Sequence, residues 1–588
     1  MATNAGTPPP AEQTLFVRKA SGLIKGWSEG DGFRYSFFSV NLFLAIWSIS
    51  YATFIPGGSL FWSIVITAIF IVLEIIVYAG LISAMPRAGG DYVWMTRIFN
   101  SAIGFIIAAV GWWFILWLWT PIYADMGVQT TVKPIFRILG LNGAADWLGS
   151  RTGIFVASLV VIAIASILVA VGMKTYAKFQ KWAMWIGLAG VVICGILLLV
   201  TSGSSFKEKF NAAADKYYGG DNGTLNLQKY ETDASGYFVY DDTGLAIKTV
   251  EGETYPDAFT QIEAVGSGTG MPTSTFAGGI SWATWTLIPF MMFWMAWPNW
   301  GATLYGEVRG AKDFRKNIRQ MLGGLLVPTC ITLAFLGLMT WKVGYQAFMG
   351  MMASWWYYST AGTNISPIGG DYISPTAMIS WIVPNAAFQI ILIAAISLLL
   401  FGWFGTLFLS STRMIFASAF DRILPEGAAK VTSTGVPVVA LVLMTIPSII
   451  MAALYAYTPI DTEKGVTIVK LFTYDATVGI LIMFLGSALA FMIMKWRAKS
   501  IWDSSSLPKS GIAGIPWMSI IAAIYSLFLL FNLYLFVKDA LYGVNNSKSA
   551  IFMGILYVAA LVIWIIAWST RKRQGMALEA VAKEIPVE

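Results

Sequence analysis

Twelve stretches of apolar sequence, each long enough to cross a bilayer, divide this chain: about 35–56, 59–84, 101–129, 153–172, 180–202, 278–306, 322–343, 386–412, 436–457, 471–494, 516–537 and 551–570. About 20 helical residues cover the hydrocarbon thickness. Inside lipid every backbone N–H and C=O must find a partner within the protein, and for runs of this length the α-helix is the solution. The composition agrees, at 57% hydrophobic and 12% charged residues, against about 25% charged in soluble domains. The expected fold class is an all-α polytopic membrane protein with twelve transmembrane helices, here called spans one to twelve. No soluble domain of ordinary size is left over, and the start, MATNAGTPPPAEQ, lacks the basic head and apolar core of a cleaved signal peptide.

Basic residues orient the chain. With the N-terminus cytoplasmic, 25 of the 38 Lys and Arg fall on inside segments. Five of the other 13 sit on the connection 203–277, which is too long to count in the positive-inside rule. Both termini are therefore expected in the cytoplasm, with the chain in the plasma membrane. The Asn-x-Ser/Thr acceptors Asn222, Asn364 and Asn545 all fall on expected outside loops, as glycosylation requires. Basic residues do not cluster on a soluble face, so the net charge of +7 carries no nucleic-acid footprint. Cys194 and Cys330 lie in spans and offer no disulfide framework. No metal cluster, nucleophile triad or phosphate loop stands out, and an enzyme is not expected.

Carboxylates in or at the ends of spans are the next constraint. Asp125 and Asp475 lie near outer ends and read as solvated caps, whereas Glu74 sits mid-span, where a carboxylate faces a cavity or a partner. Histidine is absent, so any proton coupling must use carboxylates. Span six carries MMFWMAWPNWGATLYGEVRG, residues 291–310. Pro298 removes a donor and disfavours helical angles at Trp297. The pattern predicts a first half ending near Met295, an extended Ala296–Trp297, and a second half starting at Pro298. Discontinuous helices of this kind form midplane sites in secondary transporters.

The flanks carry a resemblance. Pro86, Gly89, Gly90 and Tyr92 form a Pro-x-x-Gly-Gly-x-Tyr element after span two; Glu307 and Arg309 follow span six; Arg413, Asp421, Arg422, Leu424 and Pro425 follow span eight; GMKTYAKFQ joins spans four and five. Together, over about residues 15–570, the chain resembles the amino acid–polyamine–organocation permeases, archaeal members most closely. The resemblance implies a five-plus-five inverted repeat (35–202 and 278–494) with discontinuous helices one and six, two extra helices within 495–570, and cytoplasmic ends at 1–34 and 571–588. It also implies alternating access, with an amino acid held between the two breaks. In span one the family's Gly-x-Gly is missing. Its place falls at Ile46, Trp47, Ser48, Ile49 and Ser50, which would face Trp294, Met295, Ala296 and Trp297 across a midplane cavity. Such a lining holds no fixed charge and suits a zwitterion with a neutral, apolar side chain.

Two departures from the family bear on coupling. The lysine of proton-coupled relatives falls at Gly187, and the family's span-two glutamate falls at Gly80, so Glu74 is a different residue. The vacated lysine position leaves room for a cation. Thr406 and Ser410, on one face of span eight, are candidate Na⁺ ligands, with hydroxyls bonded back into their own helix as the plainer reading; Glu74 is the candidate for H⁺. No other cofactor is expected. The acidic connection 203–277 reads as a small β-rich external cap that shields the entrance or touches a protein partner, with GYFVYDDTGLAIKTV as two short strands. A transporter-like sensor or an accessory subunit of a larger membrane assembly remains the alternative to a permease. A channel would need a continuous polar stripe, and none is found.

Overall fold

The computed structural model describes residues 23, 26–219, 223–242, 247–361, 365–433, 435–461 and 467–583. Asn222 and Asn364 lie outside them; Asn545 is exposed in the turn between spans eleven and twelve and donates its amide to the Lys538 carbonyl (3.0 Å).

Among the described residues, eleven helices are long and apolar enough to cross a membrane. They are span one (Glu29–Phe54), two (Leu60–Ala84), three (Ser101–Ile138), four (Arg151–Ala170), five (Met173–Val200), seven (Phe314–Lys342), eight (Ala386–Phe420), nine (Val438–Tyr457), ten (Ile468–Arg497), eleven (Trp517–Lys538) and twelve (Ser547–Arg573). Span six is the twelfth crossing, divided into Trp282–Met295 and a 3-10 turn at Trp300–Leu304. The chain is an all-α polytopic membrane protein.

Hydrogen bonds join several elements on one face. Arg309 N donates to Trp27 O (3.0 Å), Tyr92 to Asp421 (2.9 Å), and Arg571 to the Arg422 carbonyl (2.9 Å). This face carries the start of span one and the end of span twelve and is called the terminal face; the opposite one, carrying the described part of 203–277, is the loop face.

Local chemistry moves several boundaries. Span one begins at Glu29 because Ser28 and Asp31 form a reciprocal capping box, Ser28 N donating to Asp31 Oδ2 (2.9 Å). Span three runs on to Ile138 through two wide π-type turns, Val110–Phe114 and Val128–Val132, which carries Asp125 into the protein. Asp125 is consequently buried beside Lys470 (2.9 Å), and Asp475 is fully buried, accepting from Ser549 (2.8 Å). Neither is the solvated cap expected from its place near a span end.

The connection 203–277 is also not β-rich. Two helices, Gly203–Tyr218 and Ala258–Gly268, flank a two-stranded antiparallel sheet of Gln228–Tyr230 with Thr249–Thr254. The first helix forms because Phe206, Phe210, Ala213, Ala214 and Tyr217 make one buried stripe at helical spacing. Tyr240 bridges Ile247 in a narrow antiparallel contact, and Thr243 and Gly244 of the expected turn lie outside the described residues.

Candidate functional site

Spans one and six are both broken. In span one the break is at Asn41, five residues before the expected stretch: Asn41 is left-handed (φ 47°), ends Glu29–Val40 and caps Leu42–Ser50, its side chain accepting from Leu44 N (3.2 Å). Asparagine tolerates this conformation better than other non-glycine residues and can cap the next turn, so a single residue does the work of the missing Gly-x-Gly. Ile46–Ser50 is therefore regular helix. In span six the helix ends at Met295 as expected, but Ala296 is not extended (ψ 28°) and Pro298 opens no α-helix. Trp300 N and Ala302 N bond to Trp297 O and Asn299 O (3.0 and 2.7 Å), making a tight turn. Ser36, on the first half of span one, donates to the Pro298 carbonyl (2.9 Å), tying that half to the span-six break.

Tryptophans fill the space behind the breaks. Trp300 stacks on Trp119 (5.5 Å, 6°) and meets Trp112 (4.5 Å) and Trp403 (5.2 Å) edge-on or tilted, while Trp297 abuts Trp119 and Phe484. Trp294, Met295, Ala296 and Trp297 are completely buried in this packing and border no open cavity with Ser48 and Ser50. The packing nevertheless leaves polar groups unsatisfied: Ser48 Oγ, Trp294 Nε1, Thr303 Oγ1, and both side-chain atoms of Asn299 are buried without a hydrogen-bond partner. Each such group costs about 1–3 kcal/mol unless something satisfies it, and Asn299, in the span-six break itself, offers two such atoms to a polar ligand or water.

The open cavity lies on the loop-face side of the breaks. It encloses about 210 Å³, with Trp47 and Tyr51 of span one, Phe290 of span six, and Trp356 of the helix Tyr345–Ala361 in its wall, and Asp125 and Lys470 at its edge. Of the nine side chains expected to line a site, Trp47 alone lines it. Ser50 forms a bond behind it, accepting from Trp356 Nε1 (2.8 Å); Ile49 is buried; Ile46 turns to a crevice of about 40 Å³ beside spans five and seven. Sequence reading missed Asp125, Lys470 and Trp356. An acid and a lysine at opposite span ends were the available signal, but only the extended third helix brings them together.

On the terminal face the sequence motifs converge into a seal. Arg413 donates to both oxygens of Glu307 (2.7 and 3.1 Å) and Arg97 to both of Asp421 (2.5 and 2.9 Å), all four side chains being buried. Tyr92 adds a third bond to Asp421 (2.9 Å). Burial pushes the Glu307 carboxyl up, and the Arg413 guanidinium opposes that push. Gly89 and Gly90 wedge between spans six and eight: a Cβ on Gly90 would lie 2.9 Å from the Ala302 carbonyl carbon, and both glycines have positive φ (98° and 44°). Only glycine combines that backbone with that approach.

The coupling candidates are all buried. Thr406 Oγ1 donates to Trp403 O (2.7 Å), back into its own helix; Ser410 Oγ donates to Trp300 O (3.1 Å) and lies 3.0 Å from Tyr35 Oη. Glu74 accepts from Tyr525 (2.7 Å), and its other oxygen has no partner. The room expected at Gly187 does not exist, since a Cβ there would be 2.6 Å from Leu399: spans five and eight have closed over the vacancy. Gly80 is likewise packed, against Phe491.

Comparison with known proteins gives two matches. A family model described as amino acid permease matches residues 31–566. A protein of Sulfolobus islandicus rod-shaped virus 1, described as uncharacterized protein 399, is 33% identical over 115 residues, a stretch covering 18% of this chain and 27% of that protein.

Proposed function

The chain belongs to the amino acid permease family, and from that premise we propose that it is a secondary active transporter moving a neutral, apolar zwitterionic amino acid by alternating access. The observation that supports this most is that spans one and six are both broken, at Asn41 and after Met295, with Ser36 bonded to the Pro298 carbonyl and both side-chain atoms of Asn299 buried without a partner. In this reading the substrate settles there when the tryptophan packing loosens, its carboxylate meeting freed amides and its ammonium freed carbonyls. The aromatic cavity is the approach, and the terminal-face seal holds the far side shut.

This reading puts the terminal face, where basic residues crowd, in the cytoplasm and the loop face outside. It assigns coupling to a monovalent cation near Thr406 and Ser410, whose hydroxyls each donate one bond and keep acceptor lone pairs. Glu74 is the alternative carrier, for a proton. Competition against labelled leucine or phenylalanine on purified protein tests the substrate class. Displacement by apolar amino acids supports it, and better displacement by lysine, agmatine or glutamate refutes it.

A further inference from the structure

We infer that Asp125 and Lys470 form a charge-reading gate, which admits zwitterions best, amines less well and carboxylates least. The inference rests on the transport reading above and concerns a step before the helix breaks. Two cavities meet at this pair. The inner, aromatic one encloses about 210 Å³ and an outer one, bordered also by Arg151, about 260 Å³; Asp125, Tyr455 and Lys470 belong to both walls. A solute going from one to the other passes between span three, which carries Asp125, and the turn Ile468–Phe472 that opens span ten and carries Lys470.

The two charges are unequal. The Asp125 side chain is 10% exposed and that of Lys470 36%. Asp125 holds Lys470 Nζ at 2.9 Å and the Tyr455 hydroxyl at 3.2 Å on the same oxygen. Lys470 can swing toward water and keep its charge solvated. Asp125 cannot, and a buried charge that loses its partner is strongly destabilising. The gate therefore parts at low cost only for a solute that gives Asp125 a new cation. An α-ammonium does so, and an α-carboxylate then re-pairs the displaced Lys470. An amine satisfies the costly half only, leaving Lys470 beside Arg151. A simple carboxylate satisfies Lys470 and strands Asp125. The geometry thus makes the ammonium the required group and the carboxylate the improving one.

The test uses leucine, its decarboxylated amine and its deaminated acid as competitors of leucine uptake into proteoliposomes. Wild type should rank them in that order, with the amine at least about tenfold better than the acid, the ratio that about 1.4 kcal/mol provides. The double variant D125N/K470M strands no charge, and there the amine–acid ratio should fall to near one. The exchanged pair D125K/K470D should invert it, the acid now being favoured, and this variant decides the matter if the neutral one misfolds. Equal competition by acid and amine in wild type, or an unchanged order in both variants, overturns the gate while leucine uptake leaves the transport reading standing. Wild-type protein that takes up no amino acid at all overturns both.

Discussion

Removing one partner of the Arg413–Glu307 pair should open the terminal face, and the manner of failure should depend on which partner is removed. Two short bonds, 2.7 and 3.1 Å, join side chains that are 1% and 3% exposed, so water screens neither charge. Losing one member of such a pair costs about 3–5 kcal/mol, which is about a hundredfold or more in the population of the closed state. Glu307→Gln strands the guanidinium and removes the titrating carboxyl of the pair, so its cost is flat with pH. Arg413→Met strands the carboxylate. Burial already holds the Glu307 pKa above its ordinary value against the pull of Arg413; with that pull gone it rises further, and stability is intact at acid pH and lost as pH climbs through the raised value. Hydrogen exchange at the Gly89 amide, which donates to Thr303 O (2.9 Å) across this seal, reads the opening directly. Exchange should be faster in both single variants, with a steeper pH dependence than wild type in Arg413→Met and none added in Glu307→Gln, and near wild type in E307Q/R413M, where no charge is stranded. Equal, pH-independent effects in both singles, or a double variant as open as either, would refute the reasoning.

Three further outcomes are expected. Gly90→Ala combines a positive φ with a 2.9 Å approach to the Ala302 carbonyl carbon and should lower the melting temperature more than Gly140→Ala, where φ is also positive but nothing lies within 4 Å; equal losses would remove the close approach from the account. On the loop face, burial pushes Asp371 up, but the Lys133 ammonium and Arg137 guanidinium outweigh it and hold its carboxyl below the usual range. Its stabilisation is therefore present above the unfolded pKa of about 3.9 and lost as pH falls further, so Asp371→Asn should flatten the acid limb of the stability curve, and an unchanged limb would count against the assignment. Ser410→Ala should raise the Na⁺ concentration that half-supports uptake at constant pH; uptake that follows a pH gradient without Na⁺ and disappears in Glu74→Gln transfers the coupling role to Glu74.

Much of the architecture was legible because lipid leaves few alternatives. Twelve apolar runs gave eleven helices of membrane length and a broken span six, and Pro298 marked the break after Met295, since a missing donor cannot be hidden in hydrocarbon. The motifs were legible as motifs, but their purpose, a seal of two buried groups, Arg97 and Tyr92 on Asp421 and Arg413 on Glu307, needed three distant connections brought together. The span-one break was misplaced because it was sought as glycine, and Asn41 does the same task with a side-chain cap. Asp125 was misread for a different reason: hydropathy fades at about residue 129, whereas the helix persists to Ile138 through wide turns that no periodicity announces. The cavity's lining was least legible. Aromatic side chains on spans one and six are apolar whether they face ligand, lipid or one another, and here Trp294 and Trp297 face the core while Trp47 faces the opening.

The most direct measurement is counterflow in proteoliposomes made with purified protein. Vesicles loaded with unlabelled leucine or another apolar amino acid should accumulate the labelled compound transiently and saturably, and Asn299→Leu, which replaces the unsatisfied amide in the span-six break, should abolish the overshoot without loss of folded protein. Absence of counterflow for every amino acid tried, or an overshoot that Asn299→Leu leaves intact, would contradict the claim that the breaks of spans one and six carry the substrate.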